Sequence, residues 1–131
     1  MKYALDTNTL IYFFKGKGQV ASRMLAVPPS SIAIPAIVAF EIHTGIAKSS
    51  RPAKLEQQFG ELLRSVTLLP FAHKEAEYAA QLRAELEVIG QPIGPMNTLI
   101  AGTALAHGLT LVTHNTHEFS RVPRLQLLDW Y

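Results

Sequence analysis

The sequence predicts an α/β fold: a parallel sheet of four to five strands sandwiched between helices. Three observations carry that expectation. Short apolar runs alternate with longer stretches of helical periodicity. The runs are apolar throughout rather than on every second residue, as strands covered on both faces are. No repeat, linker or change of composition interrupts the pattern, so residues 1–131 read as one domain.

Lys2 to Leu5 is the first strand, ending abruptly at Asp6. Thr7-Asn8-Thr9 supplies capping side chains, and Leu10, Ile11, Phe13 and Phe14 give a helical face that stops at Lys15-Gly16. Gln19 to Val27 reads as a second helix before Pro28-Pro29. Ser31 to Ile34 is the second strand, and Pro35 suits the first turn of a helix because it has no N–H to satisfy there. Ile37, Val38, Phe40, Ile42 and Ile46 fit a largely buried helix running to Lys48. Leu55, Phe59, Leu62 and Leu63 recur at helical spacing, and Val66 to Pro70 is a third strand. His73 to Ile89 is amphipathic and ends at Gly90. Met96 to His107 is rich in small residues, which lets another backbone pack close. Leu109 to Thr113 is the fourth strand and Leu125 to Leu128 the fifth.

Composition excludes several classes. The chain is 48% hydrophobic and 17% charged, which is the balance of a folded core rather than of disorder. With no cysteine, disulfide scaffolds, thiolate zinc sites and cysteine nucleophiles are out. No stretch approaches the roughly 20 apolar residues of a membrane span. Asp6 comes too early for a signal peptide, so a cytoplasmic protein is expected. The net charge of +2 is too weak to announce nucleic-acid binding by itself.

Ligands of open parallel sheets bind beyond the carboxyl ends of the strands. Asp6 ends the first strand, with Thr7 and Asn8 extending the polar edge. Asp6 reads equally well as a helix N-cap. Glu41 lies between Phe40 and Ile42, and a buried glutamate needs a cation, a donor or solvent. Asn97 opens the helix before the fourth strand, where it also makes a good N-cap. Thr113 ends the fourth strand, and Asn115 and Glu118 follow it, a turn and capped helix on their own terms. The five histidines form no His-Glu-x-x-His pattern, and nucleophile elbows and Walker-type loops are absent. What remains is a set of hard oxygens, which suits Mg²⁺ or Mn²⁺ better than zinc.

Four segments in register carry a resemblance. Leu5-Asp6-Thr7-Asn8, Glu41 in the third helix, the block from Pro92 to Gly102, and Val112 to Phe119 together resemble the PIN-domain ribonucleases. More narrowly, they resemble the VapC toxins of VapBC toxin–antitoxin pairs. The resemblance runs from Lys2 to Tyr131. It implies a Mg²⁺-dependent endoribonuclease, with Mn²⁺ as the alternative ion, that forms a homodimer and is silenced by a VapB-type antitoxin. It implies tRNA or rRNA as substrate, the anticodon stem-loop of initiator tRNA first among the targets. Asp6 and Asn97 match the family's metal ligands, and Glu41 matches the residue that supports the ion directly or through water. Asn115 completes the cluster and Glu118 assists, while Thr113 and Asn115 would hold the water or a phosphate oxygen. One position departs: the family has aspartate where Asn97 stands, so this chain is expected to be catalytically weakened.

Lys15, Lys17, Arg23, Lys48, Arg51 and Lys54 would supply a basic rim for RNA, or else ordinary solubilising charge. The apolar helices 10–14 and 37–46 exceed what a lone domain must hide, which favours a dimer or a partner helix in a groove. Two rivals stand beside the nuclease. One is a non-catalytic module of the same fold that binds antitoxin or RNA, favoured by Asn97. The other is a phosphoacceptor or nucleotide-binding domain using Asp6; the sequence lacks the carboxylate pair or glycine-rich loop that it needs.

Overall fold

In the computed structural model, which describes residues 1–131, the apolar runs become five strands. These are β1 (Tyr3–Leu5), β2 (Ile32–Pro35), β3 (Thr67–Leu69), β4 (Thr110–Val112) and β5 (Leu127–Leu128). All pair in parallel, in the spatial order β3-β2-β1-β4-β5. Register is set by Tyr3 opposite Ile32 on one side and Thr110 on the other. Ala4, Leu5, Ala33, Ile34, Leu111 and Val112 are wholly buried, as the uninterrupted apolar runs require.

Helices α1 (Thr7–Lys15) and α2 (Val20–Leu25) connect β1 to β2, and α3 (Ala36–Lys48) and α4 (Ala53–Leu63) connect β2 to β3. Then α5 (His73–Val88) and α6 (Pro95–Ala106) carry the chain back across the sheet to β4, on the far side of β1. A short helix, α7 (Thr116–Phe119), precedes β5. Successive connections therefore leave β1 in opposite directions. The carboxyl end of β1 lies at the point where strand order reverses, where the diverging loops leave a crevice.

The small-residue pattern of α6 has the expected use. A Cβ added to Gly102 would stand 2.6 Å from the Cα of Ala79, so α5 and α6 touch backbone to backbone. Two expectations change. The N-cap of α6 is Gly94, with Pro95 in the first turn, so Asn97 lies inside the helix and its amide is free for other partners. Helix α3 buries only Val38, Ala39 and Ile42, while Phe40 is 57% exposed. One face of α3 reaches the core and the other faces solvent, because nothing packs over it. No helix is long and apolar enough to cross a membrane.

Candidate active site

Asp6 follows β1 directly and is the N-cap of α1, so the side chain expected to carry the site's chemistry also caps the helix. Its Oδ1 accepts the Thr9 N–H at 2.9 Å, and its Oδ2 accepts the Thr113 hydroxyl at 2.6 Å. The Thr9 hydroxyl donates to the Val112 carbonyl at 3.1 Å, tying the start of α1 to the end of β4. Asp6 is only 4% exposed. Burial pushes its carboxyl above the ordinary aspartate range, outweighing the hydrogen bonds from Thr113 and Thr9, and the charge of Glu41 adds to the rise.

Glu41 comes from α3 on the β2 side. The Thr7 hydroxyl donates to its Oε1 at 2.6 Å, which brings it beside Asp6. No lysine, arginine or histidine pairs with either carboxylate. The ion pair of Glu41 with Lys48 or an arginine, which its sequence position allowed, is thus not made.

From the β4 side come Thr113, Asn115 and Glu118. The Asn115 N–H donates to the Thr113 hydroxyl at 3.0 Å, and the Asn115 amide donates to Glu118 Oε2 at 2.9 Å. The Gly94 N–H donates to Glu118 Oε1 at 2.5 Å. The Asn97 side-chain amide lies beside the Glu118 carboxylate, its Nδ2 and Glu118 Oε1 both against Gly94. These donors, the Gly94 N–H foremost, hold the Glu118 carboxyl below the usual glutamate range against the effect of partial burial. Asn8 stands exposed beside Thr7.

All eight expected residues therefore gather at one end of the sheet. Six of them form two hydrogen-bonded sets: Thr7 with Glu41, and Asp6–Thr113–Asn115–Glu118 through the β4 loop, with Asn97 lying beside Glu118. The donor set is oxygen alone, the chemistry of Mg²⁺ or Mn²⁺. Two carboxylates that repel each other without a cation nearby are suited to a doubly charged ion. No three His, Asp or Glu side chains come close enough to grip a metal by themselves. Asn97 supplies a neutral amide, and Glu118 is occupied by its own donors. The residues fit a divalent ion, with less negative charge than three carboxylates would offer.

The six basic residues expected to rim the site are all exposed, and none makes an ion pair. Two pairings were not foreseen. His107 binds Glu75 at 2.7 Å, and Glu75 is only 3% exposed. His114 binds Asp129 at 2.9 Å next to the site. Both link residues from segments that sequence spacing does not connect.

The profile of the PIN domain family matches residues 3–125. The tRNA(fMet)-specific endonuclease VapC of Salmonella typhimurium is 33% identical over 130 residues, covering 99% of this chain and 98% of that protein. Ribonuclease VapC2 of Rickettsia felis is 36% identical over 132 residues, covering 99% and 98%. Among solved structures, the DNA-bound VapBC of Salmonella typhimurium superimposes with a TM-score of 0.93 at 33% identity, covering 100% of this chain and 99% of that one.

Proposed function

The chain belongs to the PIN-domain family, and within it to the VapC ribonucleases of VapBC toxin–antitoxin pairs; from that premise we propose that it is a divalent-metal-dependent endoribonuclease toxin whose metal set is weakened by Asn97. The observation that carries this reading is the meeting of Asp6 and Glu41, bridged by Thr7, at the strand-order reversal with no cation of the protein's own. A bound divalent ion would neutralise charge on a phosphoryl oxygen and bring the pKa of a water molecule towards neutrality.

The chain's own residues do the positioning. Asp6 and Glu41 would hold the ion, and Thr9 and Thr113 fix the orientation of the Asp6 carboxylate. Asn97 would complete the set through its amide oxygen, the atom of that side chain able to face a cation. Asn115 spends its amide nitrogen on Glu118, leaving its carbonyl oxygen to accept from a water. At the start of α1 the Asn8 amide would donate to phosphate oxygens through its side chain, and Thr7, whose hydroxyl is given to Glu41, through its backbone N–H. Exposed Lys15, Lys17, Arg23, Lys48, Arg51 and Lys54 offset the acidic pocket for an RNA backbone.

The Salmonella relative is named for tRNA(fMet). The anticodon stem-loop of initiator tRNA is accordingly the first substrate to test. In this reading residues 1–131 act in the cytoplasm as one domain and as a homodimer, restrained by a VapB-type antitoxin. The test is Mg²⁺ and Mn²⁺ titration of tRNA cleavage by this chain and by Asn97→Asp. Metal-dependent cleavage, stronger in Asn97→Asp, is expected. No cleavage by either would favour the second reading, a PIN-fold module that only binds antitoxin or RNA. The neutral amide where three acidic ligands would otherwise meet speaks for that alternative.

A further inference from the structure

We propose that His114, Tyr131 and Tyr12 form a stacking subsite for one nucleobase of a single-stranded RNA segment, next to the catalytic carboxylates. The proposal rests on the ribonuclease reading and deepens it. Thr113 donates to Asp6, and the next residue is His114, about 3.8 Å away along the chain. There the backbone turns towards β5, and His114 Nδ1 lies 2.9 Å from Asp129 Oδ2. Because a carboxylate accepts, Nδ1 carries the hydrogen and Nε2 is left without a partner.

The rings are held in place. The His114 ring stacks on Tyr131 with centroids 4.2 Å apart and planes 19° from parallel. Tyr12 meets both edge-on, at 6.0 Å from His114 and 4.9 Å from Tyr131. The second oxygen of Asp129 accepts the Tyr131 N–H at 2.9 Å, and the Tyr131 carbonyl accepts the Gln19 N–H at 2.8 Å. Gly18 lies so near that a Cβ there would stand 2.6 Å from that carbonyl. These bonds to His114 and Tyr131 keep the Asp129 carboxyl below its usual range although burial pushes it up.

Packing alone does not account for the cluster, because packed aromatic rings are hidden. The His114 side chain is 46% exposed and Tyr131 43% exposed. Rigid, partly exposed rings with a polar edge are what a base requires: the ordering entropy is already spent, and every base has a face to stack. Continuity with Asp6 through Thr113 makes the occupant a base close to the phosphate that would be cleaved there.

The test measures affinity of a fluorescein-labelled RNA stem-loop for the full chain in EDTA, where cleavage is off. His114→Ala and Tyr131→Ala should each weaken binding roughly tenfold, the size of one lost base stack, while His114→Phe stays within about twofold of the parent. An abasic substitution at one loop position should weaken the parent equally and make His114→Ala indistinguishable from it. Thermal midpoints are recorded alongside; if His114→Ala unfolds, His114→Gln takes its place and should weaken binding as alanine does. Unchanged affinity in His114→Ala, or His114→Phe as weak as alanine, overturns the subsite. So does a penalty that persists at every abasic position, which would assign the rings to protein contacts. Metal-dependent cleavage with any of those results removes the subsite alone. A chain that neither binds nor cleaves RNA removes the ribonuclease reading together with it.

Discussion

Replacing Asn97 by aspartate should trade stability for metal affinity. The Asn97 amide lies beside Glu118 and helps to hold its carboxyl low, while that carboxylate accepts the Gly94 N–H and the Asn115 amide. Aspartate at that place removes a donor and sets a second negative charge against the first. A hydrogen bond to a charged group is worth about 1.5–3 kcal/mol. Both residues are half-buried, so solvent screening reduces the loss to about 1–2 kcal/mol. For a chain of 131 residues the unfolding entropy converts 1 kcal/mol into a shift of about 4 °C. Asn97→Asp should therefore melt about 4–7 °C below the parent in EDTA. Saturating Mg²⁺ at about a hundred times its Kd returns about 2.7 kcal/mol, enough to reverse the deficit. The parent, with one anionic ligand fewer, should shift much less at the same concentration. Calorimetry with and without Mg²⁺ makes the measurement. An Asn97→Asp chain that melts no lower in EDTA, and gains no more from Mg²⁺ than the parent, would refute the reasoning about Glu118 and about the missing charge together.

Three further outcomes are expected. Asp6→Asn keeps the cap of α1, since asparagine caps as well as aspartate, and the Thr113 hydroxyl can turn to accept. Because the folded Asp6 carboxyl lies above its unfolded value, the parent gains stability as pH falls through that folded value; Asp6→Asn should lose this gain. It should melt no lower than the parent at pH 7, while metal-dependent cleavage falls at least about a hundredfold. Glu75 has the opposite sign: the Ala72 N–H, with help from His107, holds it below its unfolded value despite burial. Its contribution is present above about pH 4.5 and lost as pH falls further. Urea midpoints should show Glu75→Gln weaker at pH 7 and flatter below pH 4.5. Gly102→Ala drives a methyl group into the backbone of Ala79 and should cost about 3 kcal/mol by urea unfolding. Gly60→Ala, on a helix with nothing within 4 Å of the new methyl, should instead stabilise by up to about 1 kcal/mol.

Much of this site could be read along the chain because its residues break local rules. A carboxylate that stops a buried strand, as Asp6 does, and a glutamate inside an apolar helix, as Glu41 is, are out of place unless something binds them. The connection of Asn97 and Glu118 to the same place came from resemblance and from no local rule, since each also makes sense as part of a cap or a turn. Asn97 was legible as a residue but not in its role. Gly94 takes the cap position, so Asn97 stands in the first turn of the helix, beside Glu118. The His114–Asp129 and Glu75–His107 pairs had no local signal, because each partner is an ordinary polar residue in its own segment.

By itself the sequence determined the alternation of strands and helices, the burial of the central strands, and the hard-oxygen character of the chemistry. Those follow from periodicity and side-chain type, which are local. The tertiary structure alone decided that β4 lies on the far side of β1 from β2, and hence that Thr113 meets Asp6 while Glu41 approaches from the opposite side. The reason is physical: strand order depends on which helices pack together over the sheet. That choice is made by the summed burial of many residues far apart in the chain, the contact of Gly102 with Ala79 among them.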